Sequence, residues 1–342
     1  MTEPVAALVT GRSAARAHLQ QLWSRGAAFL GCDVAIMGGA MSWVSERNLV
    51  AAISNAGGFG VIACGSMAPA MLDAEIAATQ ALTDRRFGVN LITMHPQLND
   101  LIAVCLARGV THIVLAGGIP PGAAVRAVKD GGARLICFAP ALVLARRLAR
   151  TGTDALVIEG SEAGGHIGPV SLTVLAQEIL PHLRDIPIFV AGGLGRGDAI
   201  LSFLEMGASG AQLGTRFAAS AESVAHDNFK QAFIRANARD ALPSRQLDDR
   251  FPVIPVRGLV NEGTKRFLSH QADVVARFQS GELSREAAQL SIEHFWAGAL
   301  RRAVVELRCG RNGSSSGWWL GELSELLFVS FDAFGQCFDG GA

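Results

Sequence analysis

The sequence predicts an α/β protein folded as a (β/α)8 TIM barrel with a small helical insertion, or cap, after the eighth strand. Three observations carry that prediction. Eight short, apolar, β-rich segments recur at roughly 20–30 residues, the spacing of βα units in a parallel sheet. Amphipathic helical patterns fill the intervals. Gly-Gly pairs follow apolar strands at Gly38-Gly39, Gly117-Gly118, Gly164-Gly165 and Gly192-Gly193. Those pairs fall on the C-terminal face, where barrel enzymes build their sites. An open doubly wound sheet is the alternative. The strand count, and the lack of a GxGxxG turn after the first strand, favour the barrel.

The strands expected in order are Asp33–Met37, Gly58–Ala63, Phe87–Ile92, His112–Ala116, Arg134–Phe138, Ala155–Glu159, Ile188–Ala191 and Gly210–Leu213. Each is a β-rich apolar run. Helices are expected over Ser45–Asn55, Ala68–Leu82, Leu98–Arg108, Gly122–Lys129, Ala141–Arg150, Leu172–Leu183 and Asp198–Glu205, where the apolar period lengthens. The barrel core thus occupies residues 30–220. Residues 221–289 are polar, mostly helical and without strand alternation, and read as the cap beside the mouth. Within them Asp240–Arg257, with Pro243, Pro252 and Pro255, reads as a long loop. Residues 290–342 hold an amphipathic helix (Leu290–Glu306) and a tail expected to close on the barrel. That tail has a flexible run, Asn312–Gly317, followed by Trp318, Trp319, Phe328, Phe331 and Phe334.

Composition narrows the function. The 342 residues carry 30 basic and 30 acidic side chains and no basic stripe, so nucleic acid is not an expected partner. The six cysteines are far apart and lack Cys-x-x-Cys spacing, which points to reduced thiols in a cytoplasmic protein. No signal-peptide pattern opens the chain, and no stretch approaches the roughly 18 apolar residues of a membrane span. No His-x-x-x-His or paired-Cys pattern supports a metal. Tyrosine is absent.

Three glycine-rich segments can carry chemistry. Glu159–Gly168 follows a strand and holds Gly164, Gly165 and His166; the histidine is the candidate catalytic group, able to titrate near neutral pH. Val190–Gly197 contains Gly192 and Gly193 and leads into a helix. Met206–Phe217 contains Gln212, Leu213, Gly214 and Thr215. In a barrel these end the sixth, seventh and eighth strands, and the last two form the usual phosphate site of the fold. Gly193, Gly214 and Thr215 can offer backbone N–H groups and one hydroxyl to a phosphate. Asn90, ending Phe87-Gly88-Val89-Asn90, can pair with donor and acceptor edges of a heterocycle or cap the next helix. Of the other histidines, His112 reads as structural, His18 and His182 as helix-surface residues, and His226 as a loop or helix cap. His270 and His294 read as helical, and His95 sits just past the third strand.

Taken together the motifs resemble the nitronate monooxygenase (2-nitropropane dioxygenase) family of FMN-dependent barrels, which includes FMN-dependent enoyl-acyl-carrier-protein reductases. The matching stretches are Met41-Ser42-Trp43, Asn55–Gly60, Phe87–Asn90, Glu162–His166, Ala191-Gly192-Gly193 and Gln212–Phe217. The resemblance implies FMN at the barrel mouth, contacted by Gly39, Ala40, Met41, Asn90, Glu159, Gly164, Gly165, Gly192, Gly193, Gln212, Leu213, Gly214 and Thr215, with the phosphate at Gly214 and Thr215. It assigns His166 to the histidine that acts beside the flavin ring. Two positions depart from the pattern. Gly38-Gly39-Ala40-Met41 stands where many relatives have Gln-Gly-Gly-Met. Glu159 stands where many nitronate monooxygenases carry glutamine, and a carboxylate there would disfavour an anionic reduced ring.

The resemblance implies oxidation of alkyl nitronates or nitroalkanes with O2 to carbonyl compounds and nitrite. The alternative is NAD(P)H-dependent reduction of an enoyl thioester or a quinone. A non-catalytic flavin-binding or interaction protein is the third reading, resting on Trp318 and Trp319. The partners expected are therefore a small-molecule substrate with O2 or NAD(P)H, with a homodimer left open.

Overall fold

Eight parallel strands close into a barrel. The structure, a computed structural model, describes residues 3–65, 67–252, 254–293 and 295. The barrel strands are β1 (Ile36–Gly38), β2 (Val61–Ala63), β3 (Gly88–Ile92), β4 (His112–Ala116), β5 (Arg134–Phe138) and β6 (Ala155–Glu159). After the short β7 (Gly165–His166) come β8 (Ile188–Ala191) and β9 (Gly210–Leu213). Their order is β1-β9-β8-β6-β5-β4-β3-β2. A parallel bridge between Met37 and Phe59 joins the two ends. Gly38 N–H donates to Phe59 O and Phe59 N–H to Ile36 O, both at 2.9 Å. That closure excludes the open sheet.

Alternation along the strands builds two apolar layers. Met37, Phe59, Val61, Val114, Ile136, Val157 and Phe189 fill the interior. Their neighbours Ile62, Val89, Leu91, Ile113, Leu156 and Val190 face outward, against helix residues such as Leu72, Ile76, Leu101 and Ile179. The first outer helix, Arg47–Asn55, buries Leu49, Val50 and Ile53 at helical spacing. Its start is fixed by Glu46, whose carboxylate accepts the N–H groups of Asn48 and Leu49.

Two features depart from the sequence expectation. A helix over Glu3–Leu30 precedes the barrel. It runs close over β9 at Gly26, where a Cβ would lie 1.9 Å from Ser209 O, and it delivers Leu30 into the interior cluster with Phe29 packed against it. Second, the cap is not purely helical. Residues expected as a loop include β10 (Ala241–Pro243) and the end of that stretch starts β11 (Val256–Leu259). These form an antiparallel sheet, β10-β11-β7, with the Gly165-His166 strand at its edge. The cap's helices are Asp227–Arg235, Glu262–Gln279 and Arg285–Glu293. A small separate core of Phe251, Val256, Phe267, Val274, Ala288 and Ile292 holds the last two helices and β11 together, while Phe229 of the first packs with Met41, Val44 and Leu49 beside the barrel. The helix expected to begin at Leu290 starts at Arg285. His294 and the tail, with Asn312–Gly317, Trp318, Trp319, Phe328, Phe331 and Phe334, lie outside the described residues. Among the described residues no helix is long and apolar enough to cross a membrane.

Candidate active site

A cleft of about 430 Å³ opens at the C-terminal ends of β1, β6, β8 and β9, a size within the usual range for small-molecule sites. The turn after β1 supplies Gly39, Ala40 and Met41. That turn is pinned twice: Gly39 N–H donates to Leu213 O at 2.8 Å. The buried Ser45 hydroxyl donates to Gly39 O at 2.8 Å and accepts Met41 N–H at 3.0 Å. A Cβ on Gly39 would stand 3.3 Å from Leu213 O, so β1 and β9 meet closely here.

The floor follows from register. Glu159 pairs with Ala191, and Ala191 with Gln212, placing the three side by side at the strand ends. All three line the cleft. Burial pushes the Glu159 carboxyl up to about 8, so at pH 7 it is a neutral acid that can donate a hydrogen bond. A protonated Glu159 carries no charge to repel an anion at that position.

The walls are glycine turns. Gly192 (φ +99°) and Gly193 (φ +68°) follow β8 in backbone conformations that L side chains rarely adopt. A Cβ on Gly192 would sit 3.0 Å from Gly160 O and one on Gly193 2.9 Å from Glu162 Cβ. These glycines thus let the β8 turn pack against the β6 turn as well as border the cleft. On the other side Gly214 precedes the short helix Thr215–Ala218, whose first N–H groups have no partner inside the helix.

Of the residues singled out from sequence, Gly39, Ala40, Met41, Glu159, Gly164, Gly192, Gly193, Gln212, Leu213, Gly214 and Thr215 line the cleft; Asn90, Gly165 and His166 do not. Asn90 caps no helix. It lies mid-β3, 1% exposed and in register between Ala63 and Val114, both interior residues, and its Oδ1 is buried without a hydrogen-bond partner. His166 sits on β7 opposite Val256, and Ile167 N–H donates to Pro255 O at 3.0 Å, so the histidine is carried by the sheet that joins barrel and cap. The other histidines have local partners: His226 Nδ1 caps the helix Asp227–Arg235 and His95 Nδ1 accepts Gln97 N–H at 3.1 Å.

Sequence reasoning missed several lining residues. Arg216 borders the cleft within the Gln212–Phe217 motif, where a cation beside the turn expected to take a phosphate was the available signal. Glu162 also lines it, and its Oε2 accepts Leu172 N–H at 2.9 Å, tying the turn to the next helix. Phe233 and Ile234 come from the cap helix Asp227–Arg235, and no local pattern announces a contact made only by tertiary packing.

Comparison with known proteins agrees with this geometry. The family model for nitronate monooxygenase matches residues 24–306. A (3aS,4S,5R,7aS)-5-hydroxy-7a-methyl-1-oxo-octahydro-1H-indene-4-carboxyl-CoA dehydrogenase of Rhodococcus jostii is 34% identical over 211 residues, 61% of this chain and 58% of that protein. The match thus spans less than two thirds of that relative's length. A probable nitronate monooxygenase of Staphylococcus saprophyticus is 26% identical, over 84% of this chain and 94% of its own. The solved structure of FabK from Thermotoga maritima superposes with a TM-score of 0.74 at 31% identity, covering 90% of this chain and 89% of that one. The barrel, the glycine-walled cleft at its mouth and the match over most of the chain place this protein in the nitronate monooxygenase family, a family of FMN-dependent oxidoreductase enzymes.

Proposed function

We propose that the chain is an FMN-dependent oxidoreductase that holds its flavin in this cleft and oxidises alkyl nitronates or nitroalkanes with O2 to carbonyl compounds and nitrite. The observation that carries the flavin assignment is the meeting of the Gly192–Gly195 and Gly214–Arg216 turns above Glu159, Ala191 and Gln212. The residues suit the group. Glycine walls admit a flat ring, and Thr215, Arg216 and the free N–H groups of the Thr215 turn suit a phosphate. The unpartnered Asn90 Oδ1 is a buried acceptor suited to a ring N–H. Bound FMN would supply the electron acceptor and the O2-reactive centre.

The chain's own residues do the rest. Gly39–Met41 and Gly192–Gly193 shape the ring site, and Glu159 offers its acid proton to an acceptor on the ring edge. His166, just past the Gly164 wall, takes the α-proton of a neutral nitroalkane, a role that requires the unprotonated imidazole. Phe233 and Ile234 supply an apolar wall for the substrate. The barrel core, residues 30–220, carries the cofactor in this reading, and the cap over 221–289 carries the substrate-facing wall.

A second reading, NAD(P)H-linked oxidoreduction of an acyl thioester, is favoured by one observation: identity to the Rhodococcus carboxyl-CoA dehydrogenase, 34%, exceeds that to the Staphylococcus protein, 26%. Anaerobic mixing decides between them. The flavin of the purified protein should bleach with an alkyl nitronate. Rapid bleaching by NADH or NADPH but not by nitronate would replace the first reading with the second, or with quinone reduction. A colourless protein that takes up no FMN would sink both. Within the first reading, His166→Ala should keep FMN and lose turnover of neutral nitroalkane by about 100-fold or more, the usual size of a general-base contribution, while nitronate turnover is largely spared. Equal loss on both substrates would remove the base role.

A further inference from the structure

Arg257 occupies a junction that no glycine or histidine motif marks. It lies on β11, partly buried, between Gly165 of β7 and Pro243 of β10. Its guanidinium donates to two backbone carbonyls. Nε donates to Ser161 O at 2.8 Å, and Nη1 donates to Ala241 O at 2.7 Å. One residue therefore ties the β6–β7 turn to both strands of the cap hairpin.

The turn it grips matters to the site. Ser161 N–H donates to Val170 O at 2.8 Å, so this peptide is held from both sides. The next three residues, Glu162, Ala163 and Gly164, line the cleft, and His166 follows on β7. Among the described residues, backbone pairing between this segment and the cap consists of the two-residue β7–β11 ladder and the Ile167–Pro255 bond. A ladder that short fixes its edge weakly. Arginine suits such a junction. It presents a rigid planar fork of donors that can serve two carbonyls at once, whereas a lysine ammonium is a single point on a flexible stem.

We propose that Arg257 is a positioning residue that locks the Ser161–His166 turn onto the cap hairpin, and thereby sets both the cleft wall and the place of His166. The consequence for the cofactor rests on the flavin reading above; the clamp itself does not. Two measurements keep these separate. Hydrogen exchange on the flavin-free protein should show amides of residues 161–167 exchanging faster in Arg257→Ala than in wild type, with the barrel strands unchanged. FMN titration, followed by flavin fluorescence, should show Kd raised about tenfold or more in Arg257→Ala, in keeping with two lost charge-assisted hydrogen bonds. Millimolar ethylguanidinium should recover part of that affinity in the variant and leave wild type unmoved. Arg257→Lys, the gentler change should alanine fail to fold, should fall between the two. Unchanged exchange at 161–167 overturns the clamp. Faster exchange throughout the chain, or a weakened variant deaf to ethylguanidinium, makes Arg257 a general structural residue and overturns it too. Faster local exchange in a protein whose wild type binds no FMN would uphold the clamp and bring down the flavin reading instead.

Discussion

The two ends of the barrel each desolvate a titratable group, His112 at one and Glu159 at the other, and treat it in opposite ways. At the N-terminal floor His112 is fully buried. Its Nε2–H donates to Phe29 O at 2.9 Å, and its Nδ1 accepts the Thr111 hydroxyl at 2.8 Å. The rings of Phe29 and Phe59 meet it edge-on at 5.2 Å and 4.9 Å. Toward the mouth Glu159 stands at the base of the cleft, and in the barrel interior, mid-β3, Asn90 Oδ1 lies buried with no hydrogen-bond partner. The same desolvation acts at both ends. It drives His112 down to about 4 and Glu159 up to about 8, so both are neutral at pH 7. The floor satisfies its polar group completely and gains a seal. The mouth leaves polar capacity unspent, which is what a ligand site requires.

Their pH dependences are therefore mirror images. Glu159, raised from an ordinary 4.5 to about 8, retains a proton that the unfolded chain releases. The flavin-free protein should lose stability as pH rises from 4.5 through 8, by on the order of 4 kcal/mol at the alkaline end. Glu159→Gln should flatten that limb in denaturant titrations at pH 6 and 9; an unchanged slope would mean that the carboxyl is hydrated. His112, lowered from an ordinary 6.5 to about 4, refuses a proton that the unfolded chain accepts. Stability should fall by about 3 kcal/mol as pH drops from 6.5 to 4. His112→Gln should flatten this acid limb and leave the affinity for FMN as in wild type. A change in flavin binding there would couple floor to mouth and break the contrast.

How far each end could be foreseen follows from how local its causes are. The eight barrel strands lie within or beside the segments expected, because each is a short apolar run with its own flanking helix. The glycine turns of the mouth were visible for the same reason. The seal over His112 was not, since it depends on a helix ending at Leu30 that reaches β4 only in three dimensions. The β10-β11-β7 sheet was equally hidden: His166 pairs with Val256, 90 residues on, through strands too short to alternate. Phe233 and Ile234 enter the cleft by the same kind of long-range packing.

The smallest expected effect tests the mouth's glycine wall, where structural and ligand-binding demands overlap. Gly192 holds φ +99°, and a Cβ there would press on Gly160 O at 3.0 Å and Ala163 N at 3.1 Å. Gly192→Ala must therefore strain its own backbone or push the β6 turn away, at a cost of about 1–3 kcal/mol. If the turn yields, Glu162 and Gly164 move with it, and FMN affinity should fall together with stability. If the glycine served ligand approach alone, FMN affinity would drop while the midpoint of urea unfolding stayed put. The Cβ contacts point to the first outcome, since the atoms met belong to the neighbouring turn. The floor offers a counterpart in Gly26, whose Cβ would meet Ser209 O at 1.9 Å. There Gly26→Ala should cost stability with no change in flavin affinity, which keeps backbone packing at the floor distinct from packing that also shapes a site.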